Sequence, residues 1–300
     1  MSRQMNSGKA LALPAPFSRA KEYLALTKPG LTLMSVATAV GGSSLALGDS
    51  TATTALLHTF LGTLLVGAGA GTLNQFSERE HDALMTRTAL RPLPSGRVTP
   101  SGALLFGMLL SIVGVAYLAL FTNLLAALLA ATTLVTYLFV YTPLKRVTPF
   151  AVVLGGIPGA LPPMIGWAAV RGDVSIGAWS LFAILFFWQM PHFLALAWLW
   201  RDDYARAGYR MLTVVDTRGV VTRRQILVYS LALLPASVLP TYAGVLGPFY
   251  FVGAGTLSLG FLLLALRLFR EHSNAHARQL FLGSLLYLPF LVLLMILDRM

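Results

Sequence analysis

Asn74, Glu78 and Asp82 recur every fourth residue in the stretch Asn74-Gln-Phe-Ser-Glu78-Arg-Glu-His-Asp82. On a helix that spacing puts all three side chains on one face. Three oxygen ligands side by side suit Mg²⁺, which takes oxygen donors and keeps waters and substrate phosphates in its shell. The plainer alternative is a solvated helix end whose carboxylates pair with nearby arginines. A second acidic group, Asp202 and Asp203, stands in Trp200-Arg-Asp-Asp-Tyr-Ala-Arg206, flanked by Arg201 and Arg206. Alone, it reads equally well as a surface salt-bridge cluster. Arg87, Arg91 and Arg97 follow the first cluster, and Lys145 and Arg146 close the run Tyr141-Thr-Pro-Leu-Lys-Arg146. Guanidinium and ammonium groups bind phosphate oxygens, although basic residues beside a membrane span need no such role. Acidic and basic groups combined twice on one membrane face tip the reading towards a lipid-like diphosphate substrate.

These clusters interrupt an otherwise apolar chain. Of its 300 residues 56% are hydrophobic, the mean hydropathy is +0.73, and only 11% are charged, against about 25% in soluble proteins. The chain reads as an integral membrane protein. It has no cysteine, which excludes disulfides, thiolate metal sites and a cysteine nucleophile. Nine segments are long and apolar enough to cross a bilayer, at about 30–48, 52–73, 101–121, 124–142, 151–170, 176–199, 225–245, 248–268 and 280–298. The expected fold is all-α and polytopic.

The net charge of +11 is organised by these spans. If the N-terminus is inside, 20 of the 22 Lys and Arg residues lie inside, and only Arg171 and Arg299 lie outside. This distribution predicts an N-in, C-out topology. It accounts for the positive charge without a nucleic-acid partner. Residues 1–22 read as a mobile cytoplasmic tail and 23–300 as one domain. The long polar loops follow spans two and six. That layout predicts two four-helix halves around a central cavity, with a ninth helix added. Thr99 and Pro100 predict an N-cap and first turn. Gly155-Gly156, Pro158-Gly159 and Pro162-Pro163 predict a kinked fifth span.

Two histidines and several aromatics lie near the clusters. His192, in Trp188-Gln-Met-Pro-His192-Phe, is about two turns inside span six. A hydrogen-bonded structural role is the ordinary reading, and a haem ligand or proton carrier the alternative. His81 reads as a solvated loop residue. Phe76, Tyr141, Phe187, Trp188 and Phe193 could face a cation with their π clouds or belong to an interfacial belt.

At Asn74–Gly96, Tyr141–Trp167 and Trp188–Val215 the chain resembles the intramembrane prenyltransferases of the UbiA type. The run Trp-Gln-Met-Pro-His-Phe followed by Arg-Asp-Asp-Tyr-Ala-Arg-Ala-Gly points to haem-farnesylating members. Glu78 replaces a common aspartate. Asp202 and Asp203 are adjacent rather than spaced as Asp-x-x-x-Asp. Arg210-Met-Leu-Thr213 replaces the usual Pro-Met-Leu-Pro, and Ala151 an expected asparagine.

The resemblance implies farnesyl diphosphate and haem B as substrates, and Mg²⁺ held by Asn74, Glu78, Asp82 and Asp202 or Asp203. It further implies diphosphate bound by Arg87, Arg91, Lys145 and Arg146. It makes Asp82, Asp203, Arg91 and Lys145 the catalytic candidates and His192 a haem contact. The expected location is a bacterial inner membrane with a cytoplasmic active site. A downstream haem A synthase or terminal-oxidase assembly is the expected partner. Two other readings stay open: a related prenyltransferase acting on an aromatic acid or quinone precursor, and a haem or lipid carrier without chemistry.

Overall fold

The computed structural model describes residues 16–47 and 53–298. Arg3, Lys9 and Arg299 lie outside the described residues, as do residues 1–15 of the expected tail. Helix α1, Pro16–Leu26, runs through the expected tail boundary at 22. The spans follow as α2 (Pro29–Leu47), α3 (Thr53–Asp82), α4 (Pro100–Phe121) and α5 (Leu124–Val135). A π turn at Thr136–Tyr141 and the short α6, Thr142–Leu144, extend α5. The fifth span is broken into α7 (Ala151–Ala160) and α8 (Pro162–Arg171). Then come α9 (Ile176–Leu199), the short α10 (Arg201–Arg206) and α11 (Leu212–Val215), and α12 (Val220–Tyr242), α13 (Pro248–Arg270) and α14 (Asn274–Leu297). Nine spans among the described residues are long and apolar enough to cross a membrane.

Local chemistry sets the boundaries. Thr99 caps α4 by accepting from Gly102 N at 3.2 Å, with Pro100 opening the helix. Asn123 caps α5 through Ala126 N at 2.9 Å and donates to the Ala168 carbonyl at 2.6 Å. Asp298 takes the backbone N–H groups of Gly247 and Tyr250 at the start of α13. The break at Leu161 comes where Pro162 and Pro163 remove backbone donors.

Helix α3 decides where the chemistry sits. Its 30 residues are about 45 Å long, while the hydrocarbon core is about 30 Å thick. Its last turns therefore carry Asn74, Glu78 and Asp82 towards the headgroup level. The helix runs nine residues past the apolar segment that ends at 73.

Helices α2 to α5 pack in succession, while α9, α12, α13 and α14 close a second group. The fifth span stands between them, against α2, α5 and α9. The ninth helix is thus a full wall of the second group. A cavity of about 40 Å³ lined by Ser35, Thr63, Gly67, Thr133 and Pro162 lies where α2, α3 and α5 meet the fifth span, smaller than ligand pockets usually are.

Close approach of backbones holds α2 on α8. A Cβ on Gly166 would lie 1.7 Å from the Ala39 carbonyl oxygen, and one on Gly42 2.1 Å from that of Pro163. Ser43 Oγ, fully buried, donates to Gly166 O at 2.8 Å and lies 3.0 Å from Thr59 Oγ1, whose hydroxyl can donate to it, tying α2 to α8 and α3. Small residues with interhelical hydrogen bonds are what apolar solvent leaves to drive helix association. Gly166→Ala should lower stability by about 1–3 kcal/mol through overpacking. An unchanged unfolding midpoint in detergent would contradict this packing.

Candidate active site

Asn74, Glu78 and Asp82 share one face of α3 and are all buried, as the four-residue spacing predicts. Each has a cationic partner from a different part of the chain. Lys28 Nζ donates to Asn74 Oδ1 at 2.5 Å. Lys145 pairs with Glu78, both nearly out of solvent. Arg91 Nη1 meets Asp82 Oδ2 at 2.6 Å. On α10, Asp203 is paired with Arg206. The same carboxylate accepts from Thr86 Oγ1 at 3.2 Å and, more weakly, from the Arg87 backbone N–H at 3.4 Å. The loop after α3 and the segment after α9 thus meet at Asp203.

A hydrogen-bond chain fixes the orientation of Asn74. The Thr142 hydroxyl donates to Tyr137 O at 2.8 Å. It accepts from Asn74 Nδ2 at 3.0 Å. The amide oxygen is left for Lys28. The π turn brings Thr142 into this register, because its backbone N–H bonds Tyr137 O five residues back. Such turns often mark functional sites. Lys145 lies 4.8 Å from the Tyr141 ring centroid and 5.5 Å from that of Tyr209, and its carbonyl accepts from Arg210 N at 2.9 Å. Tyr209 also packs on His81, with ring centroids 5.4 Å apart.

The electrostatics follow from burial and pairing. Burial lowers the Lys145 ammonium, but the Glu78 carboxylate more than offsets this and its pKa lies well above the ordinary lysine value. Burial, then the Arg91 guanidinium, brings Lys28 down to about 7 against the pull of Glu78. Burial and the nearby Glu78 raise the Tyr209 phenol, which keeps it neutral. Four basic side chains here face three carboxylates, and Lys28 is the one without a carboxylate partner.

Other expected residues lie elsewhere. The Asp202 side chain is 89% exposed and pairs only loosely with Arg201 at 3.7 Å. Arg87 is exposed. Arg146 donates to Ser77 O at 3.0 Å, and Arg97 pairs with Glu22 at 2.9 Å, pinning the loop to α1. His192 faces α14, where Nδ1 lies 2.7 Å from Ser284 Oγ and the ring stacks on Trp188 at 5.1 Å. Ser284 gives its proton to Phe281 O at 2.5 Å. His192 Nδ1 must then be the donor, and Nε2 keeps its lone pair. None of these His192 contacts belongs to the acidic cluster. Of the expected aromatics, Tyr141 lies against a site cation, while Phe76 pairs with Arg79.

Sequence reading missed Lys28, Thr86, Thr142 and Tyr209 as site residues. Lys28 carried one signal, its place directly before Pro29 at the start of the first span.

The donor set fits Mg²⁺ in a particular way. Among the described residues no three His, Cys, Asp or Glu side chains converge as a ready metal cage. The available oxygens are those of an amide and of three carboxylates now leaning on cations. Mg²⁺ is usually held by one or two carboxylates plus waters and substrate phosphates, and this set suits that arrangement.

Comparisons with known proteins identify the family. Residues 35–292 match the UbiA prenyltransferase family. The protoheme IX farnesyltransferase of Solibacter usitatus is 46% identical over 288 residues, covering 93% of this chain and 99% of that protein. That of Koribacter versatilis is 43% identical, covering 96% and 97%. Among solved structures, one described as giving structural and mechanistic insights into digeranylgeranylglyceryl phosphate synthase superposes with a TM-score of 0.80 at 18% identity, covering 94% of this chain and 99% of that one. A UbiA homologue from Archaeoglobus fulgidus bound to GPP and Mg²⁺ gives 0.62 at 15% identity, covering 91% and 99%.

The buried pair carries a direct test. Lys145→Met strips Glu78 of its counter-charge and should cost about 3–5 kcal/mol. The double variant E78Q/K145M should recover most of that loss. A single variant that unfolds at the wild-type midpoint would contradict the pairing.

Proposed function

The chain belongs to the UbiA prenyltransferase family, and we propose that it transfers the farnesyl group of farnesyl diphosphate to a vinyl group of haem B. Water adds, and haem O and diphosphate are the products. The relatives named protoheme IX farnesyltransferase, matched over nearly their whole length, support this acceptor and donor. The structural observation that carries the reading is the meeting of the Asn74–Glu78–Asp82 face with Asp203, surrounded by four basic side chains.

In this reading Asn74, Glu78, Asp82 and Asp203 would hold Mg²⁺, and Asp202, turned to solvent, would not. Bound Mg²⁺ would supply charge neutralisation at the diphosphate leaving group. Arg91, Lys145 and Arg206 turn from their carboxylates to the phosphate oxygens, and Arg87 and Arg146 add charge at the rim. Cleavage of the C1–O bond leaves an allylic cation. The π faces of Tyr137 and Tyr141, stacked 5.7 Å apart, stabilise it, and the apolar helices keep water from quenching it early. The haem vinyl group attacks C1, and water takes the resulting porphyrin-stabilised cation. His192 offers Nε2 as a haem contact. In this reading residues 23–300 act as one domain of a bacterial inner-membrane protein, and the gathering of Lys and Arg on one side of the spans supports a site facing the cytoplasm. A downstream haem A synthase or oxidase-assembly factor receives the product.

The test is purified protein in lipid with haem B, farnesyl diphosphate and Mg²⁺, read by the mass of the haem product and by diphosphate release. A farnesylated, hydrated haem that disappears with EDTA is expected. Prenylation of an aromatic acceptor with haem untouched would move the acceptor assignment. No diphosphate release with any acceptor would leave a carrier. Asp82→Ala and Asp203→Ala should each cut kcat by about 100-fold, and Asp202→Ala should stay within about threefold of wild type. Equal losses at Asp202 and Asp203 would overturn the metal assignment.

A further inference from the structure

Lys28 differs from the other cations of the site in three ways. No carboxylate pairs with it among the described residues, and its ammonium rests on the neutral Asn74 amide at 2.5 Å. Its backbone is left-handed, at φ +50°, the only positive φ at a non-glycine among the described residues. It occupies the position just after α1 where a helix ordinarily ends on glycine.

The structure holds it there firmly. Gln75 Nε2 donates to the carbonyls of Ala25 and Leu26 at 3.0 and 3.1 Å. Thr32 Oγ1 donates to Thr27 O at 2.7 Å. Gly71 lets the junction press against α3, since a Cβ there would lie 2.8 Å from Thr27 O. The neighbours Leu26 and Thr27 are buried, while Lys28 itself keeps some accessible surface. Helix α2 begins at the next residue, so the positive end of its dipole lies at the same place. A lysine kept in a strained backbone, with no ion pair of its own and within reach of a ligand, is arranged for an anion that arrives from outside.

We propose that Lys28 is a diphosphate-binding residue, pre-positioned by the α1–α2 junction to take the substrate oxygens nearest Asn74. This rests on the diphosphate reading of the site. The other three cations must first leave carboxylates. Lys28 exchanges only an amide oxygen.

The experiment titrates inorganic pyrophosphate into the full chain in detergent with Mg²⁺, by calorimetry, and records thermal unfolding without ligand. Lys28→Gln should weaken pyrophosphate about 10-fold or more and leave the ligand-free midpoint equal or higher. Lys28→Gly, which relieves the left-handed backbone, should raise that midpoint and weaken binding as much. Wild-type affinity in either variant overturns the inference. A lowered midpoint in both assigns Lys28 to the scaffold and also overturns it. Wild-type protein that binds neither pyrophosphate nor farnesyl diphosphate removes the diphosphate reading itself.

Discussion

An ionised carboxylate at the edge of a bilayer core is tolerable only with a counter-charge at hand, and this constraint organises one end of the molecule. Glu78 takes Lys145 from the segment after α6. Asp82 takes Arg91 from the loop after α3. Asp203 takes Arg206 and, through Thr86 and the Arg87 backbone, the same loop. Each pair ties a polar connection to a helix end. Three otherwise independent connections become one surface over the helices, and the ion pairs fix the acidic residues in place.

That pairing also links stability to chemistry. With each carboxylate paired, the site has little pull on a free divalent ion, and three of its basic side chains have little freedom to seize a free anion. On the proposed reading, metal and diphosphate arriving together would replace every lost pair: the carboxylates would hold the metal, and the cations the phosphates. The geometry favours loading as an exchange of partners, in surroundings where each ionic contact is stronger than in water. On the same reading Lys28, which has no carboxylate to leave, would add its contact without breaking an ion pair.

Much of this was legible in the chain. The apolar segments marked all nine spans, because the hydrocarbon thickness dictates their length. The four-residue spacing placed Asn74, Glu78 and Asp82 on one face, and Thr99 and Pro100 marked the start of α4. Other features depend on tertiary register. Hydropathy stopped at residue 73, since polar turns of a helix that emerges from the bilayer look like loop. Adjacent residues on a helix point about 100° apart, so choosing Asp203 over Asp202 required knowing how α10 lies on the loop after α3. The side of α9 that carries His192 turns to Ser284 on α14, a choice no spacing encodes. The π turn that sets Thr142 beside Asn74 leaves no periodic trace in six residues.

The partner exchange is tested most directly by linkage between metal and anion. Mn²⁺, an oxygen-seeking stand-in for Mg²⁺ that can be followed by its paramagnetic resonance, would be titrated into the purified protein with and without saturating inorganic pyrophosphate, with the Mn²⁺–pyrophosphate equilibrium in solution subtracted. The account predicts weak Mn²⁺ binding alone and an affinity about 10-fold or more higher with pyrophosphate, the coupling expected of 1–3 kcal/mol between sites. Equal Mn²⁺ affinity in both titrations would contradict it, because the carboxylates would then be free to bind metal without releasing their cations to an anion.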